Sequence, residues 1–399
     1  MSYNFNHQWQ KVSFDRRMLL LLLFLMRVGQ FSLLPFLAIY MVKHFSVSAA
    51  KIGLVVGAGP FAYGICAILA GIVVDRVGVK PAAVIAALLA AVNVYFFFYQ
   101  DAVYWLFLMN AVTGATRSLF DVATKSYGGE MTLAERKFNF SLRYIVINSA
   151  AAIGPVLGAY FAEHDTLIAF KIIGVMYLLL AVIGGAVLQN TNKLDAAHSR
   201  PTVLETFAII GRDHALQVLL LLTFLTWCFF SQIDSTIPQY LYKQLPHGVA
   251  LYSVLLIINA LGCVFLQMLV ARIIRNYNDS SMSALAMVMF AVTYVIMAWF
   301  LSNTAWIIAI ILFTLAEIIL MPLNDVLLAK MAPPKLIGTY YGAVSTGIIG
   351  LGIGPMIGGV VYEYYGAKVL FVLCALLALL CISLYKLLLN LMAKRTPHQ

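Results

Sequence analysis

Glu317 and Asp234 stand inside long apolar stretches of a 399-residue chain, and so do Arg27, Arg117 and Arg143. Ionisable groups in such surroundings are costly, so they face a cavity or a partner. Glu317 reads as a proton carrier, because a carboxyl in a poorly hydrated cavity can load and release a proton near neutral pH. The competing reading is a Glu kept protonated for packing. Asp234 lies toward one end of its stretch and reads as a second proton-coupling group or gate, or as a solvated acid. Arg27 has no acid within four residues, so it either reaches an acid on another helix or meets an anionic substrate. Arg117 and Asp121 are four apart on one helix face and can neutralise each other. Asp121 and Asp325 otherwise cap or pair at helix ends. Arg27, Gln30, Arg117, Arg143 and Asn148 form the candidate substrate cavity. Asn110, Gln232, Asn259 and Gln267 read first as helix–helix hydrogen bonds. The histidines fall outside the apolar stretches, which leaves carboxylates as the titrating groups.

The elements that position these groups follow from composition. Hydrophobic residues make up 63% of the chain and charged residues 11%. Soluble domains run near about 45–50% and about 25%, so a soluble protein is excluded. The apolar runs reach the roughly 20 residues that cross a bilayer as helix. They read as twelve spans, over 18–41, 51–74, 81–99, 103–126, 138–161, 167–188, 215–240, 249–272, 282–301, 304–329, 337–361 and 367–390. An N-terminal tail (1–17) precedes a six-helix bundle (18–188), a cytoplasmic linker (189–214), a second six-helix bundle (215–390) and a tail (391–399). The run that begins at Met18 has no cleavage pattern of a signal peptide and reads as a retained helix. With the N-terminus inside, the inner segments hold most Lys and Arg, including Arg16, Arg17, Arg76, Lys80, Arg272 and Arg275. The outer segments hold Lys43, Lys51, Lys171, Lys243 and Lys368. That bias places both termini in the cytoplasm. It also accounts for the net charge of +10, with no basic run suited to nucleic acid. Cys66, Cys228, Cys263, Cys374 and Cys381 form no C-x-x-C, so neither disulfides nor a metal site are expected. Trp9, Trp105, Trp299 and Trp306, near span ends, read as interfacial anchors.

The two halves resemble each other. Gly154-Pro155 in the fifth span and Gly354-Pro355 in the eleventh are 200 residues apart. Asp121 and Asp325 are 204 apart, and Pro35 and Pro238 are 203 apart. Offsets this similar argue for a duplicated six-helix unit, the layout of carriers built around a midplane site. Gly154, Pro155, Gly158 and their counterparts Gly354, Pro355, Gly358 read as hinge and interface positions, since small residues four apart let backbones approach in lipid and Pro bends a helix. Between the second and third spans, GIVVDRVGVK carries Gly71, Asp75, Arg76, Gly78 and Lys80. Gly71 permits close helix contact, Asp75 can accept from a neighbouring helix N-terminus, and Gly78 suits a positive-φ turn.

That turn resembles the G-x-x-x-D-R-x-G-x-K signature of the major facilitator superfamily, and with the Gly-Pro motifs the resemblance spans the chain. It implies that Asp75 and Arg76 belong to a charge latch stabilising the outward-facing state, and that the fifth-span motif is similar to one associated with antiporters. The departures are Ala150 and Ala159, where Gly is frequent in the family. FSQIDSTIP, with Asp234, and TLAEIILMP, with Glu317, are similar to the acid-bearing helices of proton-coupled multidrug exporters. Those exporters have a fifth-span acid where this chain has Arg143, which argues against a preference for cations.

The chain has no H-E-x-x-H, P-loop or G-x-S-x-G, so an enzyme is not expected. No cofactor is expected beyond protons as coupling ion. The expected function is a proton-driven antiporter, monomeric, in a bacterial inner membrane, exporting a small amphiphilic drug or a metabolite such as a siderophore. The alternative is a proton-coupled symporter importing a small anionic or zwitterionic nutrient. The expected partners are a small-molecule substrate and the lipid bilayer, with no nucleic acid.

Overall fold

The computed structural model describes residues 12–45, 47–96, 102–126, 133–163, 166–188, 211–274, 277–332, 340 and 343–394. Most of the linker and the outermost parts of both tails lie outside the described residues, as do the side chains of Asp75 and Gln267. The described chain is all helix, because a backbone in lipid must satisfy its polar groups within its own segment. Nine helical stretches among the described residues are long and apolar enough to cross a bilayer. The last of these, Ala343–Ala393, holds two spans, since the helix Gly350–Ala393 is interrupted at Gly366 (φ 83°, ψ 166°). The fourth span, Val103–Ser126, is equally helical but carries Arg117 and Asp121, and the fifth lies within Leu133–Glu163. Twelve spans result.

The seventh span is broken. His214–Phe230 gives way to a 3-10 turn, Ser231–Ile233, and the helix resumes over Thr236–Gln244. Pro238 explains the position: its ring would strike the carbonyl four residues earlier, whereas the first turn of a new helix accommodates it. Side chains satisfy the groups freed there. Ser235 Oγ donates to the Ser231 carbonyl (3.1 Å), Gln239 Nε2 to that of Ser235 (2.8 Å) and Thr236 Oγ1 to Gln232 Oε1 (2.8 Å). Asp213, Asn278 and Ser302 cap the N-termini of the seventh, ninth and tenth spans, accepting from Leu216, Ser281 and Ala305.

The chain forms two compact units: Met1–Leu37 with Ile65–His198, and Ala38–Gly64 with Ser199–Gln399. In unit one, the third span turns an alanine face inward, including Ala82, Ala86 and Ala90. Small side chains of this kind permit close helix approach. Asn93 Nδ2 ties this span to the fourth through Thr113 Oγ1 (2.8 Å). The fifth span packs on the first through its glycines: a Cβ at Gly154 would lie 2.4 Å from Phe31 Cβ, and one at Gly158 2.4 Å from the Ser32 carbonyl. In unit two, Phe229, Phe290, Tyr294, Phe313 and Phe371 form an aromatic core. The eleventh span packs on the seventh, with Gly354 against Cys228 and Gly358 against Gln232. Gln232 Nε2 donates to the Gly354 carbonyl at 3.0 Å, the helix–helix hydrogen bond expected of it. Trp306 departs from its expected interfacial place: it is fully buried beside Tyr240 and Phe371. The helix boundary alone suggested an anchor, but its ring faces the core.

Candidate functional site

Each unit holds its own polar centre. In unit one, Arg27 on the first span makes a close ion pair with Asp121 on the fourth, and its other arm donates to Gln30 Oε1 at 2.6 Å. Both charges are buried, Arg27 at 6% exposure and Asp121 at 2%. Of the two readings left open for Arg27, the structure realises the acid on another helix. A buried pair of this kind resists change, because removing one partner strands the other charge.

Beside this pair lies a cavity between the first, third, fourth and sixth spans. Its walls include Gln30, Thr113, Thr116, Arg117, Phe170 and Tyr177. Tyr177 donates to the Met26 carbonyl at 3.1 Å, bracing the first span against the sixth. Of the residues expected to line a cavity, Gln30 and Arg117 do so, and Arg27 reaches its wall through Gln30. Arg143 and Asn148 are not among its lining residues. Both belong to the fifth span, which contributes no wall here among the described residues; Arg143 is buried at 5% exposure.

In unit two, Glu317 on the tenth span accepts from Asn259 Nδ2 on the eighth at 2.8 Å. The same amide nitrogen reaches Thr314 Oγ1 at 3.2 Å, and Thr314 donates to the Ile310 carbonyl at 2.7 Å. The Cys263 thiol also hydrogen-bonds Glu317. Neutral donors therefore hold this carboxyl. Asp234 sits at the break of the seventh span, partly exposed, and acts electrostatically on Glu317 and on Tyr252. The spans approach closely because Gly262 has no side chain: a Cβ there would lie 2.6 Å from Thr314 Cγ2. Thr314 and Cys263 were not singled out from sequence. The signal was present as helical spacing, with Asn259 and Cys263 on one face and Thr314 and Glu317 on the other.

At the turn between the second and third spans, Gly78 has φ 92°, the conformation its turn position requires. Arg76 is exposed and Lys80 half-buried. A Cβ at Gly71 would meet no described atom within 4 Å, so the close helix contact expected there is not found among the described residues. Among the described residues, no cluster of His, Cys, Asp and Glu is arranged to hold a metal ion.

A family model described as Major Facilitator Superfamily matches residues 19–348. The MFS-type transporter YqjV of Bacillus subtilis (strain 168), itself uncharacterised, is 29% identical over 84% of this chain and 83% of its own length. A Na(+), Li(+), K(+)/H(+) antiporter of Planococcus maritimus is 24% identical over 94% of this chain and 95% of its own. The crystal structure of a bacterial homologue of the human lysosomal transporter Spinster, inward-facing and unoccupied, superimposes with a TM-score of 0.79 at 13% identity. That match covers 96% of this chain and 97% of the other, and it speaks for the fold alone.

Proposed function

Since the chain belongs to the Major Facilitator Superfamily and is a transporter rather than an enzyme, we propose that it is a proton-driven antiporter exporting a small amphiphilic compound by alternating access. One observation carries the reading: Glu317 is held between two spans by the neutral donors Asn259 and Cys263. A carboxyl held by neutral donors can exist with or without its proton, and losing the proton creates a charge that the surroundings must accommodate. In the proposed cycle Glu317 takes a proton from outside, the two six-helix bundles (18–188 and 215–390) rock, and substrate competes with the proton inside. Asp234 is the second proton-coupling group in this scheme. The proton exchange named for the Planococcus relative supports the coupling ion, and the bacterial relatives support the inner membrane. The Lys/Arg bias supports both termini in the cytoplasm.

The test uses purified protein in proteoliposomes with an imposed pH gradient. Glu317→Gln keeps the shape and the Asn259 contact but cannot titrate, so gradient-driven transport is lost while counterflow, which needs no net proton movement, persists. Full gradient-driven activity in that variant overturns the assignment.

A second reading, a proton-coupled symporter importing a small anionic or zwitterionic nutrient, is favoured by Arg117 in the wall of an otherwise largely apolar cavity. Counterflow with acidic against cationic solutes decides the charge preference. The direction of net movement under a fixed gradient decides between export and import.

A further inference from the structure

The turn that follows the eleventh span repeats the spacing of the turn that follows the second. Gly359, Glu363, Gly366 and Lys368 stand at the same intervals as Gly71, Asp75, Gly78 and Lys80. Among the described residues, Gly78 (φ 92°) and Gly366 (φ 83°) are the glycines with positive φ. In each turn the acid sits three residues before that glycine, in the last turn of the preceding helix.

The contacts of Glu363 show what this second turn does. Its Oε2 accepts from the backbone N–H of Ala50 at 2.8 Å, across 313 residues of sequence. Ala50 lies in the first turn of the helix Ala49–Val77, where amide groups have no intrahelical acceptor and the helix dipole favours an anion. Ser48, just before that helix, also hydrogen-bonds Glu363, and Lys51 and Lys243 act on it electrostatically. Lys243 stands 5.8 Å from the ring of neighbouring Tyr362.

Below this cap the second and eleventh spans meet backbone to backbone, all within unit two. A Cβ at Gly53 would lie 2.1 Å from the Pro355 carbonyl, and one at Gly57 2.2 Å from that of Gly352. One at Gly352 would lie 2.6 Å from Phe61 Cβ, and one at Gly359 2.5 Å from the Ala49 carbonyl. A seam of glycines packs closely with few interlocking side chains, so its two faces can separate without side chains having to clear one another. The carboxylate at its end supplies a directional, charge-assisted contact.

We propose that Glu363 is the catch of a gate formed by the seam between Ala49–Phe61 and Gly352–Gly366. Capping the second span holds that gate shut, and releasing the cap opens it. One helix is thereby controlled at both ends, by Glu363 at its start and by the Asp75–Lys80 turn at its finish. The side of the membrane on which this gate opens rests on the orientation proposed above.

The test places a single cysteine at the seam, Phe61→Cys, in full-length protein whose native cysteines are replaced. An impermeant maleimide is then applied to one side of the membrane at a time. Glu363→Ala removes the acceptor from an exposed position. Ala50→Pro independently removes the donor at a helical turn that tolerates proline. Each raises the labelling rate about two- to fivefold, the range expected from losing a charge–dipole contact, while Glu363→Asp gives a smaller rise. Unchanged labelling in both Glu363→Ala and Ala50→Pro overturns the catch. A rise seen only from the side carrying the N-terminus also overturns the catch, because the single span Phe14–Phe45 puts the capped end of the seam on the opposite side. The proton reading stands or falls separately, on Glu317→Gln.

Discussion

Unit one buries a cation against an acid, whereas unit two keeps an acid among neutral donors. The repeat makes the contrast exact in position. At the offset of the first and seventh spans, Arg27 corresponds to Phe230 and Gln30 to Ile233. At the offset of the fourth and tenth, Asp121 corresponds to Asp325, Arg117 to Met321 and Thr113 to Glu317. Phe230 stacks on Phe313 at 4.9 Å between centroids where unit one has its ion pair, and Asp325 is exposed where Asp121 is buried. The matching offsets relate these positions, and the charges they carry differ between the units. Arginine does not deprotonate in proteins, so Arg27 keeps its charge and needs an anion beside it. Glu317 can change its charge. On the proposed reading, unit one holds structure and meets an anion, and unit two couples a proton.

The sharpest way to break this contrast is to remove the acid from each unit at corresponding positions. Asp121→Ala strands Arg27 in a buried site and is expected to destabilise the protein by about 3–5 kcal/mol. Asp325→Ala, at a more exposed position, is expected to cost distinctly less, about 1 kcal/mol. Thermal unfolding in detergent, followed by size-exclusion profile, reads the difference. Arg27→Met with Asp121→Leu replaces the pair by apolar groups and is expected to recover most of the loss. Equal effects at 121 and 325 would mean that the ion pair carries no structural weight.

Arg117→Gln comes next in size. It removes the cation from the cavity wall while keeping a polar side chain. Counterflow of acidic solutes is expected to fall about tenfold, the factor that about 1.4 kcal/mol of a charged hydrogen bond represents. Cationic and neutral solutes are expected to change little. A uniform loss across all solutes would assign Arg117 to packing.

Much of this division was legible in sequence. A charge inside an apolar run announces its cost wherever it lies, so Arg27, Arg117, Asp234 and Glu317 stood out by position alone. The Gly-Pro repeats and Gly78 were equally plain, because packing in lipid and a positive-φ turn each demand one residue type. Partners across helices were not legible. Helical periodicity says which residues share a face, and so offered Arg117 and Asp121, four apart; it cannot say that the first span presents Arg27 to Asp121, 94 residues away. Trp306 failed for the same reason, since proximity to a helix end does not determine which neighbour a face meets. Glu363 did not stand out because an acid near a span end reads as solvated, although the sequence carries its spacing to Gly359 and Gly366.

Gly262→Ala is the mildest test and bears on unit two alone. Its Cβ would stand 2.6 Å from Thr314 Cγ2. Thr314 is β-branched, stiff at χ1, and already held to Ile310, so it yields by shifting rather than by finding a new rotamer. The longer Asn259–Thr314 contact at 3.2 Å is expected to break, while the Asn259–Glu317 bond at 2.8 Å survives. Losing one neutral hydrogen bond, about 1 kcal/mol, is expected to move the apparent proton affinity of transport by up to about fivefold without abolishing it. Gly174→Ala in unit one is the control, because its Cβ would meet its nearest atom at an ordinary 3.7 Å. If both variants leave the proton dependence untouched, Thr314 is a bystander and Asn259 with Cys263 alone set the behaviour of Glu317. If Gly262→Ala abolishes transport with the fold intact, the eighth–tenth contact is itself a moving part, and the proton site and the conformational change are one element.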